Sequence, residues 1–163
     1  MYKRFKAISD QLNSFIKTIV GVMLITMAIV VTTQIICRVF FQALSYTEEL
    51  SRYLLVWSSF FAASVAYKQG AHIAVTFLID QFKVKARQSM AVIINLLSIL
   101  FFCITFFFGM QLIHMQVFQT SPALLIPMRY VYLCIPISFS VMLFHGLLFL
   151  WEAFINLSKG GDA

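Results

Sequence analysis

The sequence predicts an all-α integral membrane protein with four transmembrane helices, and both its composition and its uncharged stretches support this fold class. Of the 163 residues, 61% are hydrophobic and only 11% are charged, and the mean hydropathy is +0.91. These values argue against a water-soluble enzyme or a nucleic-acid-binding domain, and the 18 Phe residues argue against a disordered chain. We therefore expect one membrane domain over residues 1–163 and no nucleic-acid partner.

The first two predicted spans differ in how clearly the sequence marks them. The first, residues 18–38, is uncharged up to its last residue, and at about 1.5 Å per residue it is long enough to cross a bilayer. The second, residues 49–68, is uncharged only between Arg52 and Lys68. It must therefore begin in the preceding turn or extend both cations to the membrane surface.

The third and fourth predicted spans, residues 88–113 and 130–151, are separated by a segment that contains Ser121 and Pro122, which favour a turn. The fourth span carries no formal charge. Pro136 lies in its first two turns, where it can bend the helix, because a neighbouring helix can satisfy the freed carbonyl.

Residues 71–84 are too polar to cross a membrane, yet their apolar side chains recur at helical spacing at Ala74, Phe77, Leu78 and Phe82. This pattern predicts an amphipathic helix that lies in the membrane plane between spans two and three. The alternative is a helical connection with no further role.

The basic residues predict the orientation. Nine of the 12 Lys and Arg residues lie before span one, between spans two and three, or after span four, and the other three are Arg38, Arg52 and Arg129. Because basic residues near span ends tend to stay in the cytoplasm, we expect both termini there. The net charge of +6 then reflects topology. The first apolar run exceeds the 7–15 residues of a signal-peptide core, so we expect no cleavage.

The densest polar cluster lies at the start of span two. Glu48 and Glu49 precede Arg52 by four and three residues, so on a helix the cation reaches either carboxylate. Three interpretations remain open: a well-started helix at the membrane surface, a docking site for another subunit, and a proton-coupling site. The third is disfavoured, because spans one, three and four contain no carboxylate.

Small residues recur every four positions along span two, at Ser58, Ala62 and Ala66. Small side chains at this spacing let membrane helices approach closely, and this face packs either within the chain or against a partner. The neighbouring Trp57 is expected in a packing, lipid or partner contact rather than in a ligand site.

Cofactor sites find little support in the sequence. A haem between facing imidazoles needs two histidines at matching depth, but His72, His114 and His145 fall at different levels of the predicted spans. The three cysteines lack the paired spacing of zinc or redox sites. We therefore expect neither a metal nor another cofactor in this chain.

Several motifs resemble a known family. Residues 48–57, EELSRYLLVW, and residues 70–73, GAHI, resemble the signature of the small membrane subunit of tripartite ATP-independent periplasmic (TRAP) transporters, the DctQ-like family. The same family's connection into its last helix is resembled by residues 121–124, SPAL, 126–128, IPM, and 130–132, YVY, with Ile135 and Pro136. Ala62 and Arg129 depart from the family pattern, in which Gly and a small residue are commoner at these positions.

The resemblance implies a function and a set of partners. Such subunits pair with a large, many-spanning subunit that binds substrate and sodium and moves like an elevator. A periplasmic substrate-binding protein delivers an organic acid, such as a C4-dicarboxylate or sialic acid. The small subunit is then a static scaffold in the lipid of the bacterial inner membrane that helps this protein dock. Partner contacts are expected at Glu48, Glu49, Arg52, Trp57 and His72.

Two other functions remain alternatives: a membrane redox subunit that binds haem or quinone, and a small homodimeric transporter that works alone. The first needs facing ligands and the second needs a carboxylate inside a span. The predicted spans supply neither of these, unless Glu48 and Glu49 lie deeper in the membrane than we infer.

Overall fold

The structure of the protein, a computed structural model, describes residues 2–40, 44–70 and 84–159. Within these ranges the chain forms α1 Tyr2–Phe40, α2 Ser45–Lys68, α3 Val84–Met115, α4 Met128–Tyr132 and α5 Cys134–Lys159. The described part contains no β-strand, so the all-α prediction is confirmed. The in-plane helix predicted over residues 71–84 lies outside the described residues, apart from its last position.

Length and composition make three segments candidate membrane spans: Arg4–Phe40, Ser89–Met115 and Met128–Ile155. Helix α2 has 24 residues, or about 36 Å, which is also long enough to cross. Charged residues near both of its ends and several serines make it less apolar than the other three. The fourth span therefore stays a prediction.

Helix α1 is much longer than the span predicted over residues 18–38. It includes residues 2–17, where no Gly or Pro interrupts the helix. These first turns pack on the end of α5, where the ring of Tyr2 lies 6.0 Å from that of Trp151. Lys6 and Glu152 add an ion pair at 3.7 Å. The start of α1 is thus part of the packed structure.

The fourth predicted span is divided at Leu133 into the short α4 and the long α5. Pro136 has no N–H to donate to the carbonyl of Tyr132, so the regular hydrogen bond of the helix is missing there. The N–H of Ile137 then donates to the carbonyl of Leu133 at 3.2 Å and continues α5. Pro136 therefore accounts for the interruption.

The helices pack in the order α1, α2, α5 and α3, while α4 contacts both α3 and α5. Tyr67, Phe102, Phe139 and Met142 form the buried core between α2, α3 and α5, and the Tyr67 and Phe102 rings meet edge to face at 4.9 Å. A Cβ on Gly109 would lie 3.0 Å from Ile135 Cγ2, so this glycine lets α3 and α5 approach closely.

Candidate functional site

Helix α2 begins at Ser45 and presents its two acidic residues to different surroundings. Successive residues on a helix point about 100° apart, so adjacent side chains cannot share one face. Glu49 turns towards the segment between α3 and α4 and is 7% exposed. Glu48 faces solvent, with 62% of its side chain exposed.

The segment in front of Glu49 is a closed turn over residues 119–128. The N–H of Ser121 donates to the carbonyl of Ile126 at 2.9 Å, and the N–H of Met128 donates to the carbonyl of Gln119 at 2.8 Å. Ser121 Oγ accepts a further hydrogen bond from the N–H of Ile126 at 3.2 Å. Leu125 has a φ of +54°. The turn therefore has a defined backbone shape, although residues 119–127 belong to no helix or strand.

The Glu49 carboxylate connects α2 to this turn. Its Oε2 accepts hydrogen bonds from the N–H groups of Ala123 at 2.9 Å and Leu124 at 2.8 Å. Its Oε1 accepts one from the hydroxyl of Tyr53, which also lies 3.5 Å from Met128 Sδ. We call Glu49, Tyr53, Ala123 and Leu124 the Glu49 junction. Its charge is satisfied within the chain by three donors, two of them backbone groups.

Glu48 and Arg52 form an exposed ion pair beside the Glu49 junction. Arg52 Nη2 lies 3.1 Å from Glu48 Oε1, and 67% of the Arg52 side chain is exposed. Both residues line an open cleft of about 620 Å³ whose other walls are Ser45, Glu49, Tyr53, Gln119, Thr120, Pro122, Ala123 and Met128. The structure thus separates the two acids, because Glu49 holds the turn while Glu48 presents its charge to the cleft.

The other residues predicted at partner interfaces have different surroundings. Trp57 packs edge to face on Phe61 with ring centroids 5.5 Å apart. His72 lies outside the described residues. Partner contacts of Trp57 and His72, like those of Glu48, Glu49 and Arg52, stay predictions.

The predicted packing face of α2 is only partly covered by the described residues. Ser58 is 2% exposed, and its hydroxyl donates to the carbonyl of Leu55 at 3.0 Å. Ala62 and Ala66 are half-buried. Ala66 also borders an apolar groove of about 370 Å³ with Tyr67 and Phe102. Whether this face packs against a partner stays a prediction.

A second polar cluster lies at the opposite end of α2. Lys68 Nζ lies 3.1 Å from Asp10 Oδ1 and donates to Ser9 Oγ at 2.7 Å. Ser9 Oγ lies 2.8 Å from Nδ1 of His145 on α5. The ammonium also sits 5.5 Å from the centroid of the Phe149 ring. We call Ser9, Asp10, Lys68 and His145 the Lys68 junction, and it joins α1, α2 and α5.

The direction of the hydrogen bonds in the Lys68 junction follows from the donors available. An ammonium group only donates, so Ser9 Oγ accepts from Lys68, and its own hydrogen is available to Nδ1 of His145. The proton of a neutral imidazole then lies on Nε2. That atom is buried and finds no acceptor among the described residues.

Sequence reasoning missed Tyr53 and the whole Lys68 junction. Tyr53 follows Glu49 by four residues, the spacing at which helical side chains meet, so a local signal for this contact was present. Ser9 and His145 are 136 residues apart, and no local pattern links them. Only the packing of α1 on α5 brings them together.

Residues 27–156 match the family described as tripartite ATP-independent periplasmic transporters, DctQ component. The chain belongs to this family. As a DctQ component it is part of a transporter and not an enzyme, and its apolar helices make it a multi-pass membrane protein. The Glu49 junction falls entirely within the matched residues, whereas Ser9 and Asp10 of the Lys68 junction precede them.

Two relatives carry names from the same transporter class. The isethionate TRAP transporter permease protein DctMQ of Oleidesulfovibrio alaskensis is 32% identical over 99 residues, which are 60% of this chain and 16% of that protein. A protein of Haemophilus influenzae named as a TRAP transporter small permease is 30% identical over 77 residues, 47% of this chain and 48% of that protein. The match therefore spans about half of the second relative and a small part of the first.

Neither membership of the DctQ family nor the positions of the histidines favour the alternative of a membrane redox subunit that binds haem. His114 lies in the last turn of α3, whereas His145 lies about 17 Å along α5 from its first residue. His145 Nδ1 is also engaged by Ser9. Among the described residues, no group of three His, Cys, Asp or Glu side chains is placed to hold a metal ion.

Proposed function

We propose that the chain is the small permease subunit of a sodium-coupled TRAP importer of an organic acid in a bacterial inner membrane. It acts as a static scaffold for a large elevator-type subunit and helps a periplasmic substrate-binding protein to dock. Sodium and substrate bind to the large subunit rather than to this chain. The observation that carries the proposal is the DctQ match over residues 27–156.

The distribution of polar groups supports a scaffold rather than a solute path. The carboxylates of the described residues lie near the ends of the helices, in the two junctions or in exposed ion pairs. The hydroxyls of Thr18, Thr26, Thr32 and Thr33 on α1 donate to carbonyls one turn earlier in the same helix. Such groups provide few ligands for an ion or an organic acid that crosses the membrane.

The proposed topology has four spans, with α2 as the second and both termini in the cytoplasm. It is supported by the length of α2 and by the nine basic residues that lie on the same side of the membrane as the two termini. The Glu49 junction then faces the periplasm, and the Lys68 junction lies near the cytoplasm. The cleft beside Glu48 and Arg52 is the proposed contact area for the large subunit or the substrate-binding protein.

The substrate class rests on the family and on a relative's name. Isethionate, named for the Oleidesulfovibrio alaskensis protein, is an organic sulfonate, and the proposed class for this chain is likewise an organic acid. Carboxylates such as a C4-dicarboxylate or sialic acid are members of that class. The features of this chain do not select among them, because specificity is proposed to lie in the other two components.

Reconstitution tests the proposed function directly. Vesicles that contain the large subunit, this chain and the substrate-binding protein should take up the organic acid only with an inward sodium gradient. Vesicles that lack this chain should lose most of the uptake. Transport by this chain alone would contradict the scaffold role and favour the homodimeric transporter, and a haem absorption band in the purified chain would favour the redox subunit.

Charge reversal tests the role of the Glu49 end. In Glu49→Lys, an ammonium replaces the acceptor of two backbone N–H groups, so we expect lower recovery of the complex and several-fold lower uptake, with normal membrane insertion. Glu152→Lys is the matched control, because it reverses an exposed acid at the other end. Wild-type assembly and uptake in Glu49→Lys would remove this role from Glu49.

A further inference from the structure

We propose that Arg129 and Tyr130 form a binding site for the phosphate group of a phospholipid at the Glu49 end of the protein. The site is separate from the cleft beside Glu48 and Arg52, which Arg129 does not line. It requires only that this chain is a membrane protein, and it does not depend on the substrate or on the transport mechanism.

No acidic side chain among the described residues forms an ion pair with the positively charged Arg129. The Arg129 Nη2 group donates to the hydroxyl of Tyr130 at 2.9 Å, and its guanidinium carbon lies 4.8 Å from the centroid of the same ring. Its Nε is buried and has no acceptor among the described residues. The two acids at the same end of α2 are engaged elsewhere, since Glu48 pairs with Arg52 and Glu49 binds Tyr53 and the turn.

The Tyr130 ring fixes the orientation of the guanidinium. A stacked and hydrogen-bonded arginine loses little freedom when it binds a ligand, and the remaining N–H groups of its two Nη atoms match two oxygens of a phosphate. The side chain is therefore prepared for an anion that comes from outside the chain.

An exposed apolar stripe begins at Tyr130 and runs along α4 and α5. Ile137 is 41% exposed, Leu147 55% and Trp151 43%, and their spacing places them along one side of α5, while Tyr130 on α4 is 47% exposed. Ser140, which lies on the same side, donates its hydroxyl hydrogen to the carbonyl of Pro136 at 2.7 Å, so its donor is satisfied within the helix. The stripe offers contacts to hydrocarbon.

The positions of Tyr130 and Trp151 match the two surfaces of a bilayer. Tyr130 and Trp151 are 21 positions apart, or about 31 Å of helix, which equals the thickness of a bilayer's hydrocarbon core of about 30 Å. Tyr and Trp are the residues that concentrate at the two membrane surfaces. Arg129 lies next to Tyr130 at the first turn of the apolar segment Met128–Ile155, the depth at which lipid phosphates lie.

Lipid binding by the full chain tests this proposal. The purified chain in detergent micelles is titrated with dioleoylphosphatidylglycerol, and native mass spectrometry counts the lipids that remain bound. We expect about tenfold weaker binding of the first lipid in Arg129→Gln, because one charged contact is lost. Arg129→Lys should show an intermediate loss, because it keeps the charge but not the paired N–H donors of the guanidinium. Arg52→Gln is the matched control and should bind as the wild type does, because Arg52 is already paired with Glu48.

Equal lipid binding by the wild type and Arg129→Gln would overturn the proposal. So would an Arg129→Gln variant that retains the lipid but no longer co-purifies with the large subunit, because Arg129 would then bind an acidic group of the protein partner. If Arg129→Gln does not yield folded chain, as judged by circular dichroism, then Arg129→Lys against Arg52→Lys decides, and equal lipid binding by these two overturns the proposal.

Discussion

The two ends of helix α2 are held by polar junctions of opposite chemistry. At one end the Glu49 carboxylate accepts hydrogen bonds from Tyr53 and from two backbone N–H groups of the turn over residues 119–128. At the other end the Lys68 ammonium donates to Ser9 and pairs with Asp10. An anion thus organises a loop at the first end, whereas a cation joins side chains of neighbouring helices at the second.

This difference determines what each junction can tolerate. Two of the three partners of Glu49 are backbone groups in a closed turn, so no rotamer change can supply Ala123 and Leu124 with another acceptor. The partners of Lys68 are less dependent on it, because 57% of the Asp10 side chain is exposed to water and Ser9 keeps its contact with His145. We therefore infer that the Glu49 junction contributes more to stability, although the Lys68 junction contains two charged side chains and the Glu49 junction only one.

The largest predicted effect is the loss of the Glu49 acceptor. In Glu49→Ala, three hydrogen bonds to a charged group disappear, and we expect the midpoint of thermal unfolding of the chain in detergent micelles to fall by roughly 6 °C. Circular dichroism at increasing temperature measures this midpoint. The turn should also become more accessible to proteases than in the wild type.

Two variants sharpen this prediction. Tyr53→Phe removes one of the three donors to Glu49 and should lower the midpoint by about 2–3 °C. Glu48→Ala removes only an exposed i,i+4 ion pair and should change the midpoint by about 1 °C or less. Equal losses in Glu48→Ala and Glu49→Ala would show that the adjacent acids are equivalent and that the distinction between them is wrong.

The loss of Lys68 should have a smaller effect. In Lys68→Met, Asp10 becomes hydrated and Ser9 stays bonded to His145, so we expect the midpoint to fall by about 3 °C. Asp10→Asn, the control, keeps an oxygen near Lys68 and should change it by about 1 °C or less. A Lys68→Met variant less stable than Glu49→Ala would reverse the proposed order of the two junctions.

The sequence predicted the helices better than it predicted their ends. Runs without charge located the apolar segments, because the cost of placing a charge in hydrocarbon depends on composition alone. The long start of α1 was not predicted, since Tyr2 and Lys6 are held by contacts with Trp151 and Glu152 on a distant helix. The interruption at Leu133 was visible only as the presence of Pro136.

The candidate site was predicted only in part, because sequence spacing shows contacts within one helix but not contacts between distant segments. Local spacing indicated that Arg52 can reach Glu48, and the two residues form an ion pair at 3.1 Å. Spacing did not show that Glu49 turns to the backbone of Ala123 and Leu124, which lie 74 and 75 residues away. Backbone donors carry no signature in a sequence, because every residue except proline has one.

The smallest predicted effect is a spectroscopic one at His145, without a change in stability. Because Lys68 donates to Ser9 and Ser9 to Nδ1, the imidazole proton should lie on Nε2. Nitrogen-15 NMR of the histidine-labelled chain reports this tautomer, and His145→Gln identifies the signal among the three histidines. Ser9→Ala removes the donor to Nδ1 and should yield a mixture of tautomers. A proton on Nδ1 in the wild type would mean that His145 donates to Ser9. Ser9 would then accept from both Lys68 and His145, and the proposed direction of the second hydrogen bond would be wrong.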